Sequence, residues 1–238
     1  MRRRRQLILT ILILLSTVGI AVGALGTLLK REPDYYANAV NRGTSDSTLA
    51  PEVMTRFGDL KNDIRAKPEW GSSFTSEELN AFFREVLGSD TGLVGLLPEG
   101  VTDPRVSIEG DRLGMAMRYG SGFWSTVFSV EMRGWLVKEE TNTIAIELIG
   151  IWAGGLPLGT QSVLDWVSEV GRDANIVVTW YRHNGHPVGI FHFYADQSQP
   201  TTQIRRFKIE DGKVIVAGRS LLNHGAPPVV LPPADPPK

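Results

Sequence analysis

The sequence contains no cysteine, has almost no net charge, and lacks the short motifs that mark common active sites. Without cysteine there are no disulfides or thiolate metal sites, so an apolar core must hold any fold together. A formal net charge of −1 argues against a nucleic-acid partner, because phosphate binding needs a clustered cationic surface. Phosphate-binding and dinucleotide-binding glycine loops are missing, and so is a nucleophile elbow. These absences disfavour an enzyme and give no reason to expect a cofactor.

Charge is also absent from one long stretch near the N-terminus. Residues 7–29 carry no charged side chain, and at ~1.5 Å per helical residue they span roughly 34 Å, enough to cross a hydrocarbon layer of ~30 Å. Four arginines precede this stretch, and Lys30 and Arg31 follow it. The positive-inside rule then predicts a cytoplasmic N-terminus and an extracytoplasmic domain. We expect a single-pass protein of the bacterial cytoplasmic membrane, anchored by residues 7–29.

A cleaved signal peptide is the alternative interpretation of this segment. Residues 21–24 are small enough to resemble a cleavage site. The apolar core of a signal peptide usually runs ~7–15 residues, however, and this one is longer and has basic residues on both sides. A retained anchor is therefore favoured.

The rest of the chain divides by composition and periodicity. Pro33 is placed to start a short helix, residues 43–47 indicate a break, and apolar spacing predicts a second helix over residues 50–66 that ends before Pro68. These helices form either a stalk or a cover over the domain. The tail from Ala226 onward is proline-rich and predicts an extended segment. The predicted regions are a cytoplasmic arginine tip with the anchor (1–31), a helical stalk or cover (32–71), an α+β domain (72–222) and a proline-rich tail (223–238).

The strongest local signal is a helix start. Thr75 and Glu78 have the spacing of a capping box, and Phe74 with Leu79 has the spacing of the accompanying hydrophobic staple. The helix that follows puts an apolar stripe on one side, comprising Leu79, Phe82, Phe83 and Val86. Core packing explains such a stripe, and the lining of a lipid groove is the functional alternative. The loop predicted over residues 88–104 is unusually apolar, so it either packs back on the core or touches a membrane or ligand.

From Val106 the apolar period becomes two, which predicts strands. A hairpin turn is predicted at Gly110, and a long strand follows whose one face carries Trp124, Phe128, Val130, Met132 and Leu136. A helix is predicted near residues 160–171, with Val163, Leu164, Trp166, Val167 and Val170 on its buried side. Two hairpins end the domain, with turns at Asn184-Gly185 and Asp211-Gly212.

Three histidines near the first of these turns form the one constellation that resembles a metal site. His183, His186 and His192 could supply imidazole ligands to zinc. Two of them flank an exposed turn, with no acidic residue close in sequence. We interpret them as structural or solvated histidines and predict no metal.

Several features together resemble the YpmS-like family of membrane-anchored bacterial proteins of unknown function. They are the anchor, the helix start at residues 74–80, the paired strands from Val106, and Leu156-Pro157-Leu158 leading into a helix before the last strands. The resemblance covers about residues 72–220 and implies no catalytic residue. The predicted helices at 33–66 and the proline tail depart from it.

The order of elements predicts an α+β fold. We expect an N-terminal transmembrane helix followed by a curved antiparallel sheet packed around one or two helices, similar to the helix-grip and TULIP-like half-barrels that carry lipids. The leading hypothesis is a non-enzymatic envelope protein that binds a lipid or other apolar ligand between sheet and helices. The alternative is a scaffolding subunit that docks an envelope enzyme or transporter. The candidate groove residues are Phe82, Phe83, Trp124, Phe128, Met132 and Trp166.

Overall fold

The structure, a computed structural model, describes residues 2–41, 48–88, 99–193 and 201–221. The predicted break at 43–47, most of the apolar loop at 88–104 and the proline tail lie outside these residues. Within them the chain forms five α-helices and a large antiparallel sheet, which confirms the α+β class. The helices are α1 (Arg2–Leu29), α2 (Asp34–Asn41), α3 (Leu49–Ala66), α4 (Ser76–Gly88) and α5 (Gln161–Asp173).

Ten strands form the sheet, most of them joined as hairpins. They are β1 (Glu69–Thr75), β2 (Val101–Glu109), β3 (Arg112–Tyr119), β4 (Thr126–Leu136), β5 (Thr143–Ala153), β6 (Leu156–Pro157), β7 (Val177–His183), β8 (His186–His192), β9 (Thr202–Glu210) and β10 (Lys213–Ser220). The main path runs β1-β10-β9-β4-β5-β8-β7, with β2 and β3 attached through β4 and the short β6 paired to β5.

The predicted hairpin turns are confirmed. Asn184 and Gly185 have φ values of 48° and 84°, and Asp211 and Gly212 have φ values of 51° and 75°. A positive φ at both central positions defines the type I′ turn, whose twist matches that of the strands it joins. Gly110, with φ of 60°, closes the β2–β3 hairpin in the same region of backbone space.

The sheet divides at β4. On one side β4 pairs with β5 along most of its length. On the other side its first part pairs with β3, whereas near its end Trp135 pairs with Lys208 of β9. The β2–β3 hairpin and the β9-β10-β1 strands therefore share one edge of β4, the hairpin along its first part and the three strands near its end. Helix α4 connects β1 to β2 and so links these two groups of strands.

Both faces of the sheet bury apolar side chains at β4. On one, the α5 face, Val130 packs with Leu164 of α5 and with Leu148 and Ile151 of β5. On the other, the α2 face, Val127 packs with Tyr36 of α2. The sequence predicts the apolar alternation of β4 correctly. It misses the second buried face because Val127 and Ser129 alternate with larger apolar residues.

The two helices between α1 and the sheet pack on strands of the sheet. Helix α2 packs on β2 and β3, and α3 packs on β1, where Phe57 stacks on Phe74 with ring centroids 4.2 Å apart. The strand β1 is absent from the predicted elements. It pairs along its whole length with β10, so the boundary predicted at residue 71 falls inside a strand of the sheet.

Helix α4 begins as predicted and closes one edge of the sheet. The Thr75 N–H donates to Glu78 Oε2 at 2.8 Å and the Glu78 N–H donates to Thr75 Oγ1 at 3.2 Å, which confirms the capping box. One turn later, the Asn80 side-chain amide donates to the Val106 carbonyl and accepts from the Val106 N–H, both at 2.8 Å. The amide thus bonds to β2 as a neighbouring strand would.

Among the described residues, no single helix meets the length and hydropathy expected of a membrane span. The segment Ile13–Leu29 meets them together with α2, from which it is separated by a bend of 55°.

Candidate functional site

The six predicted groove residues fall into three groups. Phe82 and Phe83 belong to an aromatic cluster between α3, β1 and α4. Phe82 lies 5.1 Å from Phe57 and 5.8 Å from Phe83, measured between ring centroids. Since Phe57 also stacks on the buried Phe74, this cluster fixes α4 against the sheet. Phe82 and Phe83 are half-buried.

Phe128 and Met132 lie together on the α5 face, in a strip of half-buried apolar side chains. Phe128 is opposite Met117 of β3, and Met132 is opposite Leu113. The strip is continuous across the two strands because side chains two residues apart share a face. Its members are Leu113, Met115, Met117, Phe128, Val130 and Met132.

Trp124 and Trp166 lie elsewhere, and neither has the position that the sequence predicts for it, on a strand face for Trp124 and on the buried side of a helix for Trp166. Trp124 precedes β4 in a short 3₁₀ turn and is 87 % exposed, because the strand begins only at Thr126. Trp166 is 55 % exposed, because α5 turns Leu164 and Val163 toward the sheet instead. Val170, one turn after Trp166, is exposed with it.

The α2 face carries a groove of about 570 Å³ between the α1–α2 connection and the sheet. Tyr35 reaches its floor over Gly114, where a side chain would come within 3.3 Å of the ring. Burial and the nearby carboxylates of Glu131 and Glu109 raise the pKa of the Tyr35 phenol far above its usual range. The ring stays neutral, and the groove combines apolar surface with charged side chains. Its charged lining residues are Arg31, Glu32, Glu109, Arg112 and Glu131.

A second groove, of about 460 Å³, runs along the edge strand β2 beside α2 and α4. Most of its lining is polar, including Asp34, Glu77, Asn80 and Arg84. Apart from Val130, which also lines the first groove, the members of the half-buried apolar strip of β3 and β4 line neither groove.

Charged side chains on β4 and β5 are paired. Buried Glu147 accepts from His186 Nδ1 at 2.9 Å and lies 3.8 Å from Arg133, which also contacts Asp111 at 3.2 Å. Arg112 donates to Glu131 at 2.8 Å. The carboxylates of β4 and β5, Glu131 and Glu147, are therefore ion-pair partners.

Of the three histidines that resemble a metal site in the sequence, His192 is separated from the other two by the length of β8. His183 and His186 face each other beside the Asn184-Gly185 turn, whereas His192 lies at the far end, 3.3 Å from Thr143 Oγ1. Within the described ranges, no group of three or more His, Asp or Glu side chains has the geometry to hold a metal ion.

Sequence reasoning missed the junction between α1 and the domain. The Gly155 N–H donates to the Leu28 carbonyl at 2.7 Å, and Thr126 Oγ1 donates to the Leu29 carbonyl at 2.6 Å. Lys30 Nζ donates to the Ser125 carbonyl at 2.6 Å and also to that of Phe123. The Leu29 carbonyl is thus satisfied by β4, and the Leu28 carbonyl accepts from Gly155 in addition to the local Arg31 N–H at 3.1 Å, so these contacts fix the helix end to the domain.

The connection after α1 is held as well. Glu32 accepts from Arg118 at 2.7 Å, and the Arg118 guanidinium lies 5.7 Å from the ring centroid of the fully buried Tyr36. Gly154 allows the close approach of α1. A side chain there would meet the Leu29 carbonyl oxygen at 2.4 Å, and its φ is +60°. The Gly154-Gly155 pair is the one sequence signal of this junction, and it does not reveal its partner.

Comparison of the chain with protein-family models, with curated proteins and with solved structures finds no significant match.

Proposed function

We propose that this chain is a non-catalytic, single-pass protein of the bacterial cell envelope that holds a lipid-like ligand on the apolar strip of β3 and β4. In this proposal residues 7–29 cross the cytoplasmic membrane and the domain lies outside the cytoplasm against the bilayer. The same proposal includes a helix-grip, TULIP-like arrangement of the sheet and helices and a relationship to the YpmS-like family. The chemistry of the strip and its place relative to α1 support it.

The observation that carries the proposal is where the strip begins. Thr126, which donates to Leu29 at the end of α1, lies two residues before Phe128. From Phe128 and its partner Met117, the strip runs along β3 and β4 away from the helix end to Met132 and Leu113. If α1 ends at the membrane surface, an acyl chain could pass from the bilayer directly onto these side chains.

The side chains suit such a ligand. Half of the strip consists of methionines, whose flexible thioethers adapt to irregular apolar shapes. Each methylene that a ligand buries there contributes ~0.8 kcal/mol. An amide in the same place would lose part of this contribution and would need a hydrogen-bond partner that an acyl chain cannot supply.

A matched pair of methionine variants tests the ligand. Met132→Gln places an amide in the strip, and Met54→Gln makes the same change on α3, where Met54 is 50 % exposed. For the detergent-solubilised full chain, we expect Met132→Gln to raise the Kd of a fluorescent acyl probe by about tenfold, or ~1.4 kcal/mol, and Met54→Gln to leave it unchanged. Wild-type protein without probe binding and without copurifying lipid would contradict the proposal, as would equal effects of the two variants.

Scaffolding remains the second candidate, and the β7 edge favours it. β7 pairs with β8 on one side, and no backbone hydrogen bond reaches its other side from the described part of the chain. Tyr181 on β7 and Trp166 on α5 are 61 % and 55 % exposed. A photo-crosslinker at Tyr181 should capture one stoichiometric envelope protein, whereas the same group at Met54 should not. Equal capture at both sites would remove the support for this candidate, and loss of capture on deleting residues 226–238 would assign the contact to the tail.

A further inference from the structure

Two large aromatic side chains stand almost fully exposed beside the end of α1. Phe123 is 78 % exposed and Trp124 is 87 % exposed, the highest values among the exposed large apolar residues of the described chain. Their rings meet edge to face with centroids 5.4 Å apart. Isolated exposed apolar residues are ordinary, but an adjacent pair of aromatic rings at one tip indicates a surface that contacts something apolar.

The tip is held in one shape rather than left as an open loop. Gly120 and Gly122 have φ values of 82° and 56°, and both the N–H and Oγ of Ser125 donate to the Gly122 carbonyl. The Gly120 N–H donates to the Gly100 carbonyl at 2.9 Å, which ties the tip to the start of β2. The backbone conformation therefore keeps both rings pointing outward.

Lys30 connects this tip to α1. Its ammonium donates to backbone carbonyls at both ends of the aromatic pair, those of Phe123 and Ser125, and lies 5.2 Å from the Phe123 ring centroid. Lys30 is also the first charged residue after the uncharged segment, so it marks where the hydrocarbon layer would end. The aromatic pair thus lies at the height of that boundary.

We propose that the tip formed by residues 120–125 inserts Phe123 and Trp124 into the interfacial layer of the bilayer that α1 enters. The inference rests on the proposed function, because it requires α1 to be a membrane anchor. Trp and Phe rings are favoured at the boundary between headgroups and acyl chains, where Trp can keep its N–H hydrated. Arg31, exposed beside Lys30, adds a positive charge that suits anionic headgroups.

Depth-dependent quenching of tryptophan fluorescence tests the insertion. The full chain is reconstituted into vesicles of phosphatidylcholine and phosphatidylglycerol in which one lipid carries bromine near the headgroup end of its acyl chain. Trp124→Phe removes the proposed interfacial indole, and Trp166→Phe removes another exposed indole, on α5, as a control. We expect the lipid-quenchable emission to fall by about twofold or more in Trp124→Phe and to stay unchanged in Trp166→Phe.

Equal loss in the two variants, or a wild-type protein that brominated lipid does not quench, would overturn the inference. Shielding of Trp124 from both lipid quenchers and aqueous acrylamide would also overturn it and would assign the tip to a protein contact. Alkaline extraction of the same vesicles separates this failure from failure of the anchor. A chain that is washed off has no inserted α1, and the proposed function then fails too. A chain that stays but shows no quenching of Trp124 refutes only the interfacial tip.

Discussion

The beginning of α4 and the end of α1 solve the same problem by opposite means. At α4, the backbone N–H groups of Thr75 and Glu78 each donate to the other residue's side chain, within the helix start itself. At α1, the Leu29 carbonyl is satisfied by Thr126, which lies 97 residues later in the chain, and the Leu28 carbonyl accepts from Gly155 as well as from the nearby Arg31. The capping box of α4 forms within one helical turn, whereas the Leu29 carbonyl of α1 finds its donor only when β4 has folded against the helix.

This difference in capping determines how strongly the position of each helix depends on the rest of the fold. A locally capped helix such as α4 holds its place against the sheet whatever α1 does. The α1 junction couples the direction of the proposed anchor to the shape of the sheet, since the same contacts fix both. Substitutions at the two helix ends should therefore destabilise the protein by different amounts. Those at the end of α1 should disturb its junction with the sheet, and those at the start of α4 should disturb only the local cap.

Gly154→Ala should have the largest effect, because it attacks the junction directly. The new side chain would require a strained φ of +60° and would collide with the α1 carbonyls at Leu28 and Leu29. We expect a loss of about 3 kcal/mol in the free energy of unfolding, measured by urea titration of the detergent-solubilised full chain.

Gly110→Ala is the control for backbone strain. Gly110 has the same φ of +60° but has open space where the side chain would go. It should cost only about 1 kcal/mol. An equal loss for both variants would mean that α1 does not rest on Gly154.

Thr126→Val should have a smaller effect on the same junction. It keeps the shape of the side chain but removes the hydroxyl that donates to the Leu29 carbonyl, and we expect a loss of about 1 kcal/mol in the same titration. Thr179→Val on the exposed side of β7 changes a threonine whose hydroxyl makes no described hydrogen bond, and it should be nearly neutral. A neutral Thr126→Val would show that water replaces the missing donor.

Glu78→Gln should have the smallest effect, and one that depends on pH. Burial opposes ionisation of Glu78, but hydrogen bonds from the Thr75 N–H and from Arg56, the latter at 2.6 Å, outweigh it and lower the pKa of the carboxyl. The stabilisation is fully present above the unfolded carboxyl pKa of about 4.3 and is lost as pH falls through the lower folded pKa.

We therefore expect Glu78→Gln to cost about 1 kcal/mol at neutral pH, after allowance for partial exposure, and to match wild type once pH lies below the folded pKa. The measurement is the free energy of unfolding as a function of pH. Glu52→Gln, in the first turn of α3, is the control and should follow wild type closely at every pH. A Glu78→Gln deficit that persisted in acid would show that the carboxylate charge is not its source.

The comparison also explains which parts of the fold are predictable from sequence. The capping box, the Asn184-Gly185 turn and the Asp211-Gly212 turn are signals read within four residues, and all three are confirmed. β1 was missed because Gly71, Ser72 and Ser73 interrupt any apolar alternation. Its strand conformation comes from pairing with β10, far along the chain.

Of the candidate site, only the residues on β4 can be predicted from the sequence, because they follow its apolar alternation. Phe128 and Met132 follow from the alternation of β4, and they do share a face. The prediction for Trp124 extends the alternation of β4 beyond the start of the strand, and the prediction for Trp166 assigns an apolar residue of α5 to the buried side of the helix. In both cases hydrophobicity alone does not determine where the side chain points. The junction at Gly154 and Thr126 has no local signature, because its contacts join segments distant in sequence.

The amide of Asn80 has a consequence for how this molecule meets other copies of itself. A free strand edge is a template on which another chain can add a strand and begin aggregation. At β2, Asn80 occupies both hydrogen-bonding groups of Val106, so an incoming strand would have to displace it. Among the described residues, no side chain forms such hydrogen bonds with the free backbone edge of β7. Of these two edges, β7 is therefore the one more open to growth of the sheet, whether by a useful partner or by misassembly.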